Sequence, residues 1–352
     1  ALINDTHGGV RGDSHLWYYW QQKFYENVFF PTLDQYGIEH VIHGGDLFDR
    51  RKFVNFNTLA RVRQDFLQPL RDRSIALDLI VGNHDVAYKT TNDLNSPELL
   101  IEQDHLVRIH KEPIELPEYN MLLVPWINKD NHDRVLQAVN DSQMAYCYGH
   151  FEFAGFEINK GHVHQEGMST DSFQKFDTVM SGHYHTQSHK QNIHYLGAPF
   201  EFTWIDFNDP KGFWLFDTDT GEKTFIYNPY TIFAQVDYYG TGQPIVLTGA
   251  DSIDDLEYRI VRVVAYHKDD LYAYDQLISS ITDVGPREIQ QIDVQERSQV
   301  SLTDDQIAER MKDTQSLIRE YVDSIDDITD DHSRRLKQLL QELYTTAENE
   351  GL

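Results

Sequence analysis

The sequence predicts a layered α/β domain over residues 1–230, a small α+β module over 231–297 and an acidic helical region over 298–352. Two observations carry the first assignment. Short apolar runs alternate with amphipathic segments as far as about residue 230, the pattern of helices packed on a sheet. Motifs of Asp, His, Asn and Gly directly follow several of those runs, where strand ends gather in an open α/β sheet. A third observation separates the rest of the chain: from Asp251 onward there are 24 acidic and 11 basic residues, against 33 and 19 in the longer first part.

Each element has its own signal. Ala1-Leu2-Ile3 runs straight into Asn4-Asp5 and reads as the end of a buried strand, so a few residues are expected to precede Ala1. Trp17, Trp20 and Phe24 share one face of a helix expected from His15 to Phe30, a stripe that serves the core. His40–His43 is a second strand, 58–70 a second helix and 75–81 a third strand, which gives a β-α-β-α-β frame. Ser96 reads as an N-cap with Pro97 opening a short helix through Glu102. Further strands are expected at 121–124, 145–148, 177–181 and 192–196, and a hairpin pairs 212–216 with 223–227 around Gly221. In the second module 260–264 alternates like a strand, 271–282 is helical and 287–294 is again a strand. Helices are expected over 316–325 and 332–347, where Leu336, Leu339, Leu340 and Leu343 form a stripe that must bury against something.

Composition narrows the function. With 40% hydrophobic and 12% aromatic residues the chain can bury a substantial core, and no apolar run is long enough to span a bilayer. A formal charge of -27 argues against stand-alone nucleic-acid binding held by counterion release. The single cysteine, Cys147, excludes a disulfide framework and cysteine-based zinc sites. With no signal-peptide pattern, the expected location is cytoplasmic.

The chemistry lies in five motifs: Asp5-Thr6-His7, Gly45-Asp46, Gly82-Asn83-His84-Asp85, Gly149-His150 and Gly182-His183-Tyr184-His185. Their oxygen and imidazole donors, without thiolate, suit Mn²⁺, Fe²⁺ or Zn²⁺ in pairs rather than a structural zinc. The D-x-H and H-x-H spacings point both side chains the same way on an extended strand end. Each motif alone is weak. Gly45-Asp46 by itself is only a turn, whereas the joint set in this order is hard to reach by chance.

These motifs resemble the calcineurin-like binuclear metallophosphoesterases, whose signature runs D-x-H, G-D, G-N-H-D, H and G-H-x-H. Within that superfamily the chain is similar to the SbcD or Mre-type DNA-repair nuclease subunits, and most like the recombination endonuclease subunits of T-even-type phages. The supporting stretches are His43–Asp49, Val81–Asp85, Pro125-Trp126, Tyr195–Pro199 and Asn208–Trp214, so the likeness covers 1–230 firmly. It implies a two-layered β-sandwich flanked by helices, with the small module as a cap and C-terminal helices that dock a partner. It also implies one metal ion held by Asp5, His7, Asp46 and His185 and a second held by Asp46, Asn83, His150 and His183, most simply Mn²⁺ with Mg²⁺ possible. In that scheme His84 is a proton donor or charge stabiliser at the leaving group, and Asp85 holds its ring. Cellular members carry His three residues after the bridging Asp; here the position is Asp49, a feature of the phage branch that leaves the exonuclease–endonuclease balance open.

The resemblance implies partners too: double-stranded DNA at ends, hairpins or branches, an SbcC-like coiled-coil ATPase, and a second copy in a homodimer. A phage origin places the chain in the bacterial host cytoplasm. Arg50, Arg51 and Lys52, with Arg61, Arg63, Arg71 and Arg73 beyond them, form either a solvated helix flank or a basic strip for the DNA backbone. Gly161-His162-Val163-His164 reads as an ordinary loop, because no partners nearby complete a coordination shell. Gly240-Thr241-Gly242 is no phosphate loop, and the chain has no P-loop of its own. Two other readings compete with the nuclease: a phosphoesterase for small esters or nucleotides, and a non-enzymatic interaction module on the same scaffold.

Overall fold

The computed structural model describes residues 1–159, 162–165, 167–294 and Leu336. The helices expected over 316–325 and 332–347 and the leucine stripe, Leu336 apart, lie outside the described residues. Ala1–Ile292 forms one compact unit, a mixed α/β structure.

Two six-stranded sheets dominate it. The first runs in the order Lys223–Tyr227, Gly212–Phe216, Leu2–Ile3, His40–His43, Ala76–Ile80, Val107–His110. Leu2–Ile3 pairs in parallel with His40–His43 and antiparallel with Gly212–Phe216, so the strand that opens the chain is central. The second sheet runs Ser188–Lys190, Ile193–Tyr195, Thr178–Ser181, Tyr146–Gly149, Met121–Val124, Ile114–Leu116.

One face of each sheet is buried against the other. Leu2, Ile42 and Ile80 of the first share a core with Leu123, Tyr146, Tyr148 and Met180 of the second. Alternate residues on the same strands, such as Ile3, Val41, Leu77 and Leu79, instead meet an aromatic layer of Trp17, Trp20, Phe24, Phe29 and Phe66 from the helices. On the outer face of the second sheet Val135 and Val139 pack over Val124, Cys147 and Val179. They belong to a helix, His132–Asp141, that the sequence reading left out.

The first long helix continues beyond the expected end at Phe30. It passes from His15–Phe24 through a π-helical turn at Tyr25–Phe29 into Phe30–Tyr36, and stops at Gly37 in the left-handed conformation. The second likewise carries a π turn, Arg63–Leu67, between Phe56–Val62 and Gln68–Asp72. The short helix Ser96–Leu100 is capped by Asn95, whose side chain accepts from the Glu98 amide, and Ser96 is its first residue. That corrects the expected cap by one position. Asn95 is the better acceptor because its extended backbone lets the amide oxygen reach over the first turn.

The small module forms a four-stranded sheet, ordered Val246–Thr248, Phe233–Tyr238, Ile260–Ala265, Glu288–Asp293, under the helix Leu271–Val284. It has its own core, including Val236, Val261, Val263, Tyr274 and Ile281. Buried Glu201 accepts hydrogen bonds from the Ile232 and Phe233 amides at 2.7 and 3.0 Å, which fixes where this sheet leaves the sandwich. No helix among the described residues is long and apolar enough to cross a membrane.

Candidate metal centre

All five motifs meet at one end of the two sheets. Asp5, His7 and His185 form one group whose ligand atoms lie within 4.8 Å of one another, and Asp46, His150 and His183 form another. His7 Nε2 and His185 Nε2 are 3.1 Å apart, at 3.9 and 4.0 Å from Asp5 Oδ1. Asp46 Oδ2 lies between the groups, 3.4 Å from His150 Nε2 and 3.8 Å from His7 Nε2. Asn83 joins the second group: its Oδ1 is 2.7 Å from His150 Nε2 and 2.9 Å from His183 Nδ1. The seven residues assigned to metals from the sequence are therefore brought together. A third group, His7, Asp49 and His84, overlaps the first through His7.

The backbone is bent to achieve this. Asp5, His7, Asp46 and His183 all adopt positive φ, at 51°, 44°, 56° and 82°. Non-glycine residues there cost about 1–3 kcal/mol each and persist where the surrounding structure enforces them. Two glycines make room. A Cβ on Gly45 would stand 2.7 Å from His150 Nδ1, and one on Gly82 would collide with the Asp46 carboxylate.

Hydrogen bonds fix the rings. His150 Nδ1 donates to the Gly44 carbonyl at 2.8 Å, which leaves Nε2 as the ligand atom. The His183 amide donates to Asp5 at 3.0 Å, tying the two groups together. Phe202 packs edge-on against both His7 and His185 with centroids 5.0 Å away, a contact with no sequence signal. Trp126 covers His183 with its ring tilted at 45° and the centroids 5.2 Å apart.

Protonation follows burial. Desolvation holds His7 and His183 well below the usual imidazole range, and brings His185 down to about 4. These rings are neutral near pH 7, the state a metal ion requires. Burial opposes ionisation of Asp46, but His150 and His84 beside it outweigh that and hold its carboxyl well below the usual range. Burial alone would lower His150; the Asp46 carboxylate overrides it and raises the ring to about 9, so a metal ion at Nε2 would have to displace a proton there. Asp5, desolvated and facing Asp46, rises to about 7. A desolvated cluster of carboxylates and imidazoles aimed at common points fits divalent cations, which would supply the missing positive charge.

The expected link between Asp85 and the His84 ring is not formed. Asp85 turns inward and accepts from the backbone amides of Asp46, Phe48 and Gly82 at 2.8, 3.1 and 2.9 Å, with a longer contact from Leu47. Burial and Asp46 raise it to about 6. The reason is local: four amide donors converge where Gly82 turns the chain, and a carboxylate satisfies them all. The His84 ring is held by Asp49 instead, whose backbone carbonyl is 2.6 Å from Nδ1. The Asp49 carboxyl, raised by burial, faces His7 Nδ1 at 3.5 Å.

The basic residues divide. Arg71 pairs with Asp104 and Arg73 with Asp34, Arg63 donates to the Leu100 carbonyl, and Arg61 stacks on Tyr18 at 3.7 Å. Those four hold the fold. Arg50, over Phe53 at 4.9 Å, and Arg51, with a buried Nη1 that makes no hydrogen bond, stand nearer the site, with exposed Lys52 next in the chain. The stretch read as an ordinary loop instead pairs His162–Val163 antiparallel with Glu157–Asn159; beside it His164 Nε2 is 3.4 Å from Glu152, and the side chain of His162 lies outside the described residues.

Sequence reasoning missed Lys211 as a site residue, although it quoted the stretch that contains it. Its ammonium, almost fully buried, donates to the His185 carbonyl at 2.7 Å and pairs with Asp206 and Asp209, each at 2.9 Å.

No protein-family model matches the chain. It is 31% identical over 351 residues to exonuclease subunit 1 of Enterobacteria phage T4, an alignment that covers 98% of each chain. At that identity and coverage, the chain belongs to the family of this phage exonuclease subunit.

Proposed function

We propose that this chain is the nuclease subunit of a phage recombination and repair complex, a calcineurin-like metallophosphoesterase that hydrolyses DNA phosphodiester bonds at ends, hairpins or branches. The observation that carries the reading is the convergence of two Asp/His groups around Asp46, in a chain similar over its length to a named exonuclease subunit. Two divalent ions, Mn²⁺ before Mg²⁺, would be held by Asp5, His7, Asp46 and His185 and by Asp46, Asn83, His150 and His183. When bound, such a pair supplies an activated nucleophile and neutralises charge that develops on a phosphoryl group.

The chain's own residues do the rest. His84 is half-buried, and its Nδ1 proton is committed to the Asp49 carbonyl. Nε2 is left facing the departing oxygen, and the ring in its imidazolium form would deliver the Nε2 proton there while keeping the one on Nδ1. Asp49 therefore acts twice, positioning His84 through its carbonyl and facing His7 through its carboxyl. Asp85 keeps the Asp46–Phe48 turn in place beneath both. Arg50, Arg51 and Lys52 hold the DNA backbone beside the centre, local cations on a chain whose net charge of -27 repels DNA elsewhere.

That charge also favours an accessory subunit. An SbcC-like coiled-coil ATPase, docked on 298–352, would supply DNA affinity and the ATP site the sequence lacks, and a second copy would complete a homodimer in the host cytoplasm. The test is cleavage of a labelled duplex and a hairpin, beside a chromogenic phosphodiester, by the purified chain with Mn²⁺ or Mg²⁺. Metal-dependent DNA cleavage is expected. Turnover of the small ester with DNA untouched, even after the ATPase is added, would replace this reading with a small-substrate phosphoesterase.

A further inference from the structure

A cleft of about 500 Å³ opens beside the second Asp/His group. Trp126, Ile127 and Met168 give it an apolar wall, His150 lies at its inner end, and Lys129 and His132 stand at its rim. The volume falls within the range of small-molecule sites and accommodates a nucleoside.

Its wall is unusually well fixed. The Trp126 ring rests against His183 at 5.2 Å and His150 at 6.0 Å. The Trp126 amide donates to the Val81 carbonyl at 2.8 Å, and its carbonyl accepts from Asn92 and Asn131 at 2.9 and 3.0 Å. Asn128 locks those two together, donating its side-chain amide to Asn92 Oδ1 at 2.9 Å and its backbone amide to Asn131 Oδ1 at 2.8 Å. All three asparagines are buried. Three buried amides devoted to one loop are more than core packing needs, since Trp126 itself is only half-buried.

We propose that this cleft is the subsite for the nucleoside next to the scissile phosphate, with its base stacked on the Trp126 indole. The proposal rests on the phosphodiester reading above and adds to it the part of the substrate that is gripped. Stacking on an indole is open to every base, because each has a π face. Of the three asparagines only Asn128 lines the cleft, and its side-chain amide is consumed in holding the loop, so the polar side chains left to meet a base edge are Lys129, His132, Asp133 and Glu152.

The experiment has two arms. In the first, purified protein with Mn²⁺ cleaves oligonucleotides carrying either a normal nucleotide or an abasic tetrahydrofuran unit beside the cleaved bond, in wild type, Trp126→Ala and Trp126→Phe. In the second, binding of thymidine 5′-monophosphate and of 2-deoxyribose 5-phosphate to the same three proteins is measured by calorimetry. Melting temperature and divalent-ion content serve as controls for intact folding. Wild type is expected to prefer the base-bearing ligand and substrate by roughly tenfold or more. Trp126→Ala should lose that preference, and Trp126→Phe should recover part of it. Because the preference is a ratio within each protein, general damage to the centre cancels. Equal preference in wild type and Trp126→Ala, or none in wild type, overturns the subsite. If no variant cleaves any phosphodiester, the nuclease reading fails, and the binding arm still decides the subsite on its own.

Discussion

The buried ammonium of Lys211 donates to the backbone carbonyl of His185, so a cation 26 positions further along the chain holds the loop that carries two of the clustered histidines. The same ammonium neutralises Asp206 and Asp209, both nearly buried. Lys211→Met would strand two carboxylates without a partner, at a cost of about 3–5 kcal/mol. We expect a lower melting temperature together with weaker divalent-ion binding by calorimetry. Unchanged ion affinity in a folded variant would show that Lys211 serves the fold alone.

Asp85 makes a different prediction from the one its position beside His84 suggests. Its carboxylate gathers the amides of Asp46, Phe48 and Gly82, so Asp85→Asn would set a side-chain NH₂ against backbone donors. The expected cost is about 3 kcal/mol. Thermal melts and ion titration should both suffer, because the turn that presents Asp46 loosens. A variant with normal stability and ion binding but a selective loss of rate would return Asp85 to the role of a partner for His84.

The contrast between these residues shows what sequence can carry. Leu2–Ile3, His40–His43 and Ala76–Ile80 were legible because parallel strands covered on both faces read as near-continuous apolar runs. The residues gathered at the centre were legible because each sits within four residues of the end of a strand. Val107–His110 was not recognised: Arg108 and His110 look like surface residues until the strand is seen beside Asp78. Lys211, Phe202 and the asparagines under Trp126 act through neighbours distant in the chain, and nothing local marks them. Adjacency misled at Asp85, where a glycine turn sends neighbouring side chains in opposite directions.

His84 offers a sharper test of how the centre divides its labour. It belongs to the group with His7 and Asp49, yet the proposed ligand set omits it. If it acts through Nε2 on the leaving group, His84→Ala should lower the cleavage rate by about 10²–10⁴-fold while the bound-ion count stays the same. Elemental analysis beside single-turnover kinetics decides this. Loss of an ion in the variant would make His84 a ligand.

At the far end of the first sheet, Asp78 links strands through charge. It is fully buried and accepts from His40 and His110 at 2.6 and 2.5 Å and from Arg108. Burial opposes its ionisation, but the bonds to His110, His40 and Arg108 outweigh it and hold the carboxyl well below its ordinary 3.8. A carboxyl depressed on folding contributes stability that is fully present above the unfolded value and is lost as pH falls through the folded one. Asp78→Asn should therefore melt at a lower temperature than wild type at pH 7, with the gap narrowing as pH is taken below about 4. Melting curves of both proteins between pH 3 and pH 7, on the order of one unit apart, test the sign. A gap that stays constant across that range would mean that the asparagine costs packing and not charge.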